Sequence, residues 1–442
     1  MNFPLRFLTN FRAHKDRVRR LTAEGGWILA GQIASVAGAL VLVRVLTEYL
    51  TPAQYGELAL GLTLAGLVNQ VVTGGLINGV SRFFAPALEG ADLKNYLRAS
   101  ARLVLVASLI IVIFAIILFV ILATTGQIKW LGLAASALAL SILSGLNSIL
   151  SGIQNAARQR ATVALHSALD AWLKIALAVL VLLWVGMSSP AVVVGFALAS
   201  LIVTISQLLF LRALLQRHVG QPAETSQKLQ VDWSREIWRF SWPFSTFGIF
   251  TWLQQVSDRW ALGLLATTEE VGAYAVVFQL GYTPIGLLSG LMLTLVAPIL
   301  YSRAGDTKDK VRLEGANKII YRLAYVSLAL TAVAFVITFF LHEIIFRFLA
   351  APEFRSGSYL LPWVVLAGGL FAAGQVLLIK LGVELRSKDQ VSQKIGTAVI
   401  GITANLAGAW LFGVEGVVGA LVMFSVVFFV WSVRLSASNR KT

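Results

Sequence analysis

The chain contains no cysteine, which removes disulfides, thiolate nucleophiles and cysteine-ligated metals or clusters in one step. Charge is also scarce. Only 13% of the 442 residues are charged, against 57% hydrophobic, and that balance does not suit an ordinary soluble domain. No run of the form G-x-x-x-x-G-K-[ST] occurs, so no phosphate cradle for ATP is expected and primary pumping is disfavoured. The four histidines, His14, His166, His218 and His342, stand singly. His342-Glu343 begins like a zincin motif, but Phe346 takes the place of the second histidine, so no metal site is expected. Each lone histidine reads as an interfacial polar residue, and no cofactor and no catalytic residue is expected. No cleavable signal peptide is expected either, because residues 1–25 are basic throughout, with no continuous apolar stretch before Trp27.

What is present is apolar length. A membrane-spanning helix needs about 20 mostly apolar residues, and a window of that width finds segments near 26–47, 57–80, 103–123, 130–152, 168–186 and 190–211. After a polar gap come 241–265, 271–300, 320–341, 359–381, 395–413 and 416–433. These predict an all-α polytopic membrane protein with about 12 transmembrane helices. The 241–265 segment is the least apolar, because Gln254, Gln255, Asp258 and Arg259 interrupt it.

The net charge of +15 would invite a nucleic-acid reading in a soluble chain. In a membrane chain the position of each cation matters more. Of the 36 Lys and Arg, 29 fall on one side of the alternating spans and three, Lys129, Arg347 and Arg355, on the other. Cytoplasmic loops carry the excess, so both termini are expected to be cytoplasmic and no nucleic-acid partner is implied.

The polar gap divides the chain into 26–211 and 241–434, joined by a 212–240 linker and followed by a 435–442 tail. Both halves open with a tryptophan, Trp27 or Trp242, and reach an arginine, Arg44 or Arg259, 17 residues later. A parallel repeat of six helices would produce this pattern. Residues 1–25 read as a basic amphipathic segment suited to the anionic inner leaflet, with solvated topology anchor as the plain alternative. The linker carries Trp233, Ile237, Trp238 and Phe240 beside Arg235 and Arg239, and is expected to lie in the membrane interface.

An ionised side chain at mid-bilayer costs about 2.5 to 3.5 kcal/mol on insertion scales, so each one within a span calls for a cavity, a partner or a function. Gln254, Gln255, Asp258 and Arg259 share one helical stripe, which should face an aqueous cavity. Asp170 and Lys174, and likewise Lys380 and Glu384, are four apart and can pair along one face. Arg44 lies near the outer end of the first span, where it could also snorkel to the interface. More cations than anions remain, which suits an anionic cargo. The candidate substrate-binding cations are Arg44, Arg259 and Lys174. Asp170, Asp258, Gln254 and Gln255 are candidate cavity polar or ion-coupling groups.

Several runs resemble the polysaccharide and oligosaccharide-lipid flippases of the multidrug/oligosaccharidyl-lipid/polysaccharide exporter superfamily. They are Leu50-Thr51-Pro52-Ala53-Gln54-Tyr55-Gly56, Ser241-Trp242-Pro243, Val256-Ser257-Asp258-Arg259 with Val271-Gly272-Ala273-Tyr274, and Pro352-Glu353-Phe354. The resemblance implies two six-helix lobes around a central cationic cavity. It also implies alternating access and transfer of a polyprenyl-pyrophosphate-linked oligosaccharide, such as an O-antigen or exopolysaccharide repeat unit, from the inner to the outer leaflet of a bacterial cytoplasmic membrane. By position, Arg259 would line the cavity. Arg44 departs from the pattern, because relatives often place a basic residue immediately before the Leu-Thr-Pro turn, where Glu48 is closer. A glycan polymerase or export machinery would be a natural partner. The competing reading is a cation-coupled multidrug or metabolite antiporter with Asp170 and Asp258 as coupling sites. A membrane glycosyltransferase or glycan polymerase is disfavoured by the short outer loops.

Overall fold

The computed structural model describes residues 3–218, 231–304, 310–384 and 386–438. Twelve α-helices follow one another: α1 (Phe3–Tyr49), α2 (Pro52–Val68), α3 (Gly74–Glu89), α4 (Leu93–Thr124), α5 (Leu131–Ala156), α6 (Arg160–Val185), α7 (Ser189–His218), α8 (Trp233–Leu265), α9 (Thr268–Ala304), α10 (Lys310–Leu349), α11 (Leu361–Val383) and α12 (Ser387–Ala437). No strand occurs among the described residues. The side chains of 3–24 lie outside the described set, so the amphipathic face expected for 1–25 does too, as do residues 219–230 of the linker and 439–442 of the tail.

Ten helical stretches are long and apolar enough to cross a membrane. α2 and α3 count as one of these, joined by a single π-helical turn, Asn69–Thr73. α8 is not among the ten, because its polar stripe dilutes it. α12 is two helices across a reversal at Gly413, whose φ of 57° is readily adopted by glycine and rarely by other residues. Its arms run back to back, with the backbones of Gly408 and Gly416 in contact. Counting α8 and both arms of α12 gives about twelve passes.

Because successive passes reverse direction, the loops fall at two ends: a basic end, where most Lys and Arg lie, and a far end. Helix α2 starts at the far end with a capping box, in which Thr51 Oγ1 accepts from the Gln54 amide and the Gln54 side chain accepts from the Thr51 amide. Pro52 sits in the first turn, where its missing N–H is no loss. Burial separates two kinds of helix. Only 11% of the most apolar stretch of α4 is buried, against 78% for the stretch containing α11. α4 is therefore sheathed by lipid, while α11 is wrapped by α9, α10 and α12.

Helices α1–α7 pack mainly on one another, as do α8–α12, and the two sets meet along α2–α9, α1–α9 and α3–α8. At the far end the meeting is backbone to backbone. A Cβ on Gly56 would collide with the Thr268 carbonyl, and one on Gly272 with the Pro52 carbonyl. At the basic end the α3–α8 seam is closed in the same manner, with Gly75 and Gly79 against Ser245, Ser241 and Ile237. Trp233 Nε1 donates to Asp92 Oδ2 at 2.7 Å beside it. Trp233 and Ile237, expected in the membrane interface, are instead buried at this seam. The α1–α9 seam differs. Between Gly25 and Ala39 the buried residues of α1 are Gly31 and Gly38, which abut Ala164 and Ala171 of α6. On α9, Gly286 faces open space.

Candidate functional site

A cavity of about 730 Å³ lies between the two helix sets. Its walls come from α1, α2, the π turn, α7, α8, α9, α11 and both arms of α12. A π turn redirects side chains within a helix and is frequent at functional sites. Here it brings Asn69 and Gln70 to the wall, where Gln70 Nε2 donates to Thr251 Oγ1 of α8 at 3.3 Å.

All four members of the α8 stripe, Gln254, Gln255, Asp258 and Arg259, line the cavity. Asp258 is 4% exposed and its oxygens are occupied. Tyr274 OH donates to Oδ2 at 2.6 Å, and the Arg259 backbone N–H donates to Oδ1 at 2.7 Å. The carboxylate forms no ion pair with the neighbouring guanidinium. Among the described residues Arg259 forms no ion pair; its guanidinium lies 4.6 Å from the Phe278 ring centroid, a favourable cation–π contact. Phe278 stacks on Tyr282 at 4.6 Å, and Tyr282, Phe371, Phe424 and Phe428 continue an aromatic wall along the cavity. Tyr55 OH donates to Gln279 Oε1 at 3.2 Å across the cavity's far end.

The second cavity cation is Lys394, which precedes the apolar segment 395–413 and counts by sequence among the 29 cations of the cation-rich side. It stands on α12 with its Nζ 5.4 Å from the Phe247 ring centroid, and it too has no ion pair among the described residues. The spacing Lys394, Gly401, Asn405 is one helical face, and all three line the cavity. That face was the available signal. Asn405 Nδ2 donates to Ser257 Oγ at 2.8 Å, while its Oδ1 is buried without a partner. The cavity lining thus holds Arg259 and Lys394 against a single, already bonded carboxylate, Asp258.

The other proposed cations lie elsewhere. Arg44 Nη2 reaches Glu48 Oε1 at 2.5 Å, with both side chains more than a third exposed, and Arg44 is not among the residues lining the cavity. Lys174 donates to Asp170 Oδ2 at 2.5 Å and Ser200 Oγ to Asp170 Oδ1 at 3.4 Å. This pair is closed within the first helix set, away from the cavity, because its spacing lets α6 neutralise itself. Lys380 pairs with Glu384 at 3.7 Å, but its closer partner is the Ser436 carbonyl at 2.5 Å. His166, read as interfacial, is 1% exposed, with Nε2 3.0 Å from Ser206 Oγ. Among the described residues no group of His, Asp and Glu is arranged to hold a metal.

Two packed helix sets meeting over a largely apolar cavity with a few charged and amide groups match the fold of multidrug/oligosaccharidyl-lipid/polysaccharide exporters. In fold the chain is similar to the lipid II flippase MurJ in an inward closed conformation, with a TM-score of 0.68 at 14% identity over 93% of this chain and 87% of that one. It is similar to a multidrug resistance MATE family transporter in an inward-facing conformation, at 0.63 and 16% identity over 93% and 98%. A transporter of the same superfamily from Pyrococcus furiosus, described as having a binding pocket of reverse polarity, matches at 0.59 and 16% over 95% and 97%. No curated protein sequence matches the chain. The polysaccharide biosynthesis protein family matches residues 21–302, and the chain belongs to that family.

Proposed function

We propose that this protein is a flippase carrying a polyprenyl-pyrophosphate-linked oligosaccharide, such as an O-antigen or exopolysaccharide repeat unit, from the inner to the outer leaflet of a bacterial cytoplasmic membrane. The observation that carries the reading is a membrane-embedded cavity whose cations lack acidic partners. Removing an anion from water is costly unless fixed cations receive it, and a site prepared in this way favours pyrophosphate or acidic sugars. A cavity for cationic drugs would need a free carboxylate, and Asp258 is held by Tyr274. This weighs against the antiporter reading and against Asp258 as a coupling group. Asp170 is likewise occupied by Lys174.

Cation excess on the basic end orients that end, and both termini, toward the cytoplasm. The lobes are then 26–211 and 241–434 around the 212–240 linker, with 1–25 on anionic inner-leaflet lipid and 435–442 as a tail. The far-end contact of Gly56 with Gly272, and the open cavity space that Gly286 faces, favour a conformer that loads from the cytoplasmic side. A glycan polymerase or export complex would receive the product. The test is export of surface glycan by cells carrying Arg259→Ala or Arg259→Lys. Loss with Ala and partial retention with Lys is expected; unchanged export by both at normal expression overturns the cavity role.

A further inference from the structure

The two cavity cations are far apart. Lys394 lies over Phe247, and Phe247 precedes Arg259 on α8 by twelve residues, about 18 Å of helix axis at 1.5 Å per residue. The other wall agrees. Asn405, bonded to Ser257, follows Lys394 on α12 by eleven residues, about 16 Å. Lys394 is seven residues from the basic end of α12 and Arg259 six from the far end of α8, so each stands within about 10 Å of one end of its helix. A single pyrophosphate cannot touch both. Between them run the aromatic wall and the amides of Gln254, Gln255 and Gln375.

We infer that the cavity holds two different anionic groups of one cargo at once: Lys394 takes the pyrophosphate and Arg259 takes the carboxylate of an acidic sugar further along the glycan. The inference rests on the flippase reading and deepens it by naming the class of glycan. A lipid-linked cargo entering from the basic end keeps its prenyl chain in that leaflet, so its pyrophosphate stays near that leaflet's headgroups, at the level of Lys394. The sugars then extend toward Arg259. The side-chain chemistry agrees with this order. An ammonium is a point charge suited to phosphate, whereas the planar guanidinium fork matches a carboxylate in two bonds. Asn405 stands level with Arg259 on the facing wall, where its side chain is tied to Ser257.

The test uses the full chain in nanodiscs with farnesyl pyrophosphate and trigalacturonate as separate probes, titrated by calorimetry, with maltotriose as the uncharged control. Lys394→Gln is expected to weaken farnesyl pyrophosphate about tenfold and leave trigalacturonate within about twofold. Arg259→Gln is expected to do the reverse. Lys394→Arg should restore pyrophosphate binding, which separates charge from folding. Equal weakening of both probes by each variant would mean one diffuse cationic pool. Loss of farnesyl pyrophosphate in Arg259→Gln would mean a hand-over of one anion between two stations. Maltotriose binding as tightly as trigalacturonate would mean that the sugar charge is not read. Each of these results overturns the two-anion assignment while leaving the flippase reading standing. A folded wild type that binds neither charged probe overturns the flippase reading itself.

Discussion

Arg44 and Arg259 each stand 17 residues after the tryptophan that opens their half, yet their surroundings differ. Arg44 has Glu48 one turn later and closes on it. Arg259 has Asp258 as its immediate neighbour, but Tyr274 and the backbone hold that carboxylate. The acid nearest in sequence is therefore withdrawn from the arginine that lines the cavity and given to the one that does not. The same contrast separates Lys174, neutralised by Asp170 within α6, from Lys394, left with an aromatic face. Among these four cations the first half cancels its charge locally and the second presents it to the cavity. The two halves of one chain need not share the work of binding equally.

That contrast can be broken by substitution. The largest effect is expected from Arg259→Ala, which should reduce glycan export to about a tenth or less, whereas Arg44→Ala should stay within about twofold, because an exposed ion pair contributes little. Export equally impaired by both would erase the distinction. Next, Lys174→Met should lower stability by about 2 kcal/mol by stranding Asp170 in a partly buried site, and adding Asp170→Asn should recover most of it. Thermal unfolding of the single and double variants in detergent measures this, and additive losses would mean that the pair is not closed on itself. Tyr274→Phe should cost about 1 to 2 kcal/mol by removing a donor from a buried carboxylate. It should also weaken trigalacturonate binding, and leave farnesyl pyrophosphate binding within about twofold, as Asp258 becomes free to engage Arg259. Smallest is Glu48→Gln, expected within about 0.5 kcal/mol and without effect on export. A marked export change there would bring Arg44 back into the transport path.

Most passes were legible because each is an uninterrupted apolar length, and α8 was legible as the least apolar of them, its window diluted by the polar stripe. The stripe Gln254, Gln255, Asp258, Arg259 was legible as a stripe because its spacing is that of one helix face. Its donor, Tyr274, comes from the next helix and was not. The Arg44–Glu48 pair follows from the same four-residue rule that suggested Asp170–Lys174. Lys394 was missed for a physical reason: seven residues into α12 it counts as loop by charge, and only the approach of Phe247, far away in sequence, places it beside the cavity. His166 is buried because Ser206 of α7 supplies the partner that a lone polar side chain requires.

The far end is built almost without loops. Helices α1 and α2 are separated by Leu50 and Thr51, α8 and α9 by Ala266 and Thr267, and the arms of α12 by the reversal at Gly413. The largest excursion there is the 3₁₀ segment Pro352–Leu360, itself tied down by Tyr359 OH donating to Glu415 at 2.6 Å. A protease, antibody or bacteriophage approaching from that face would find very little to grip. In the proposed orientation that face is the outer one, so the protein would be nearly invisible to surface shaving of intact cells. The basic end is then the natural place for a reporter tag.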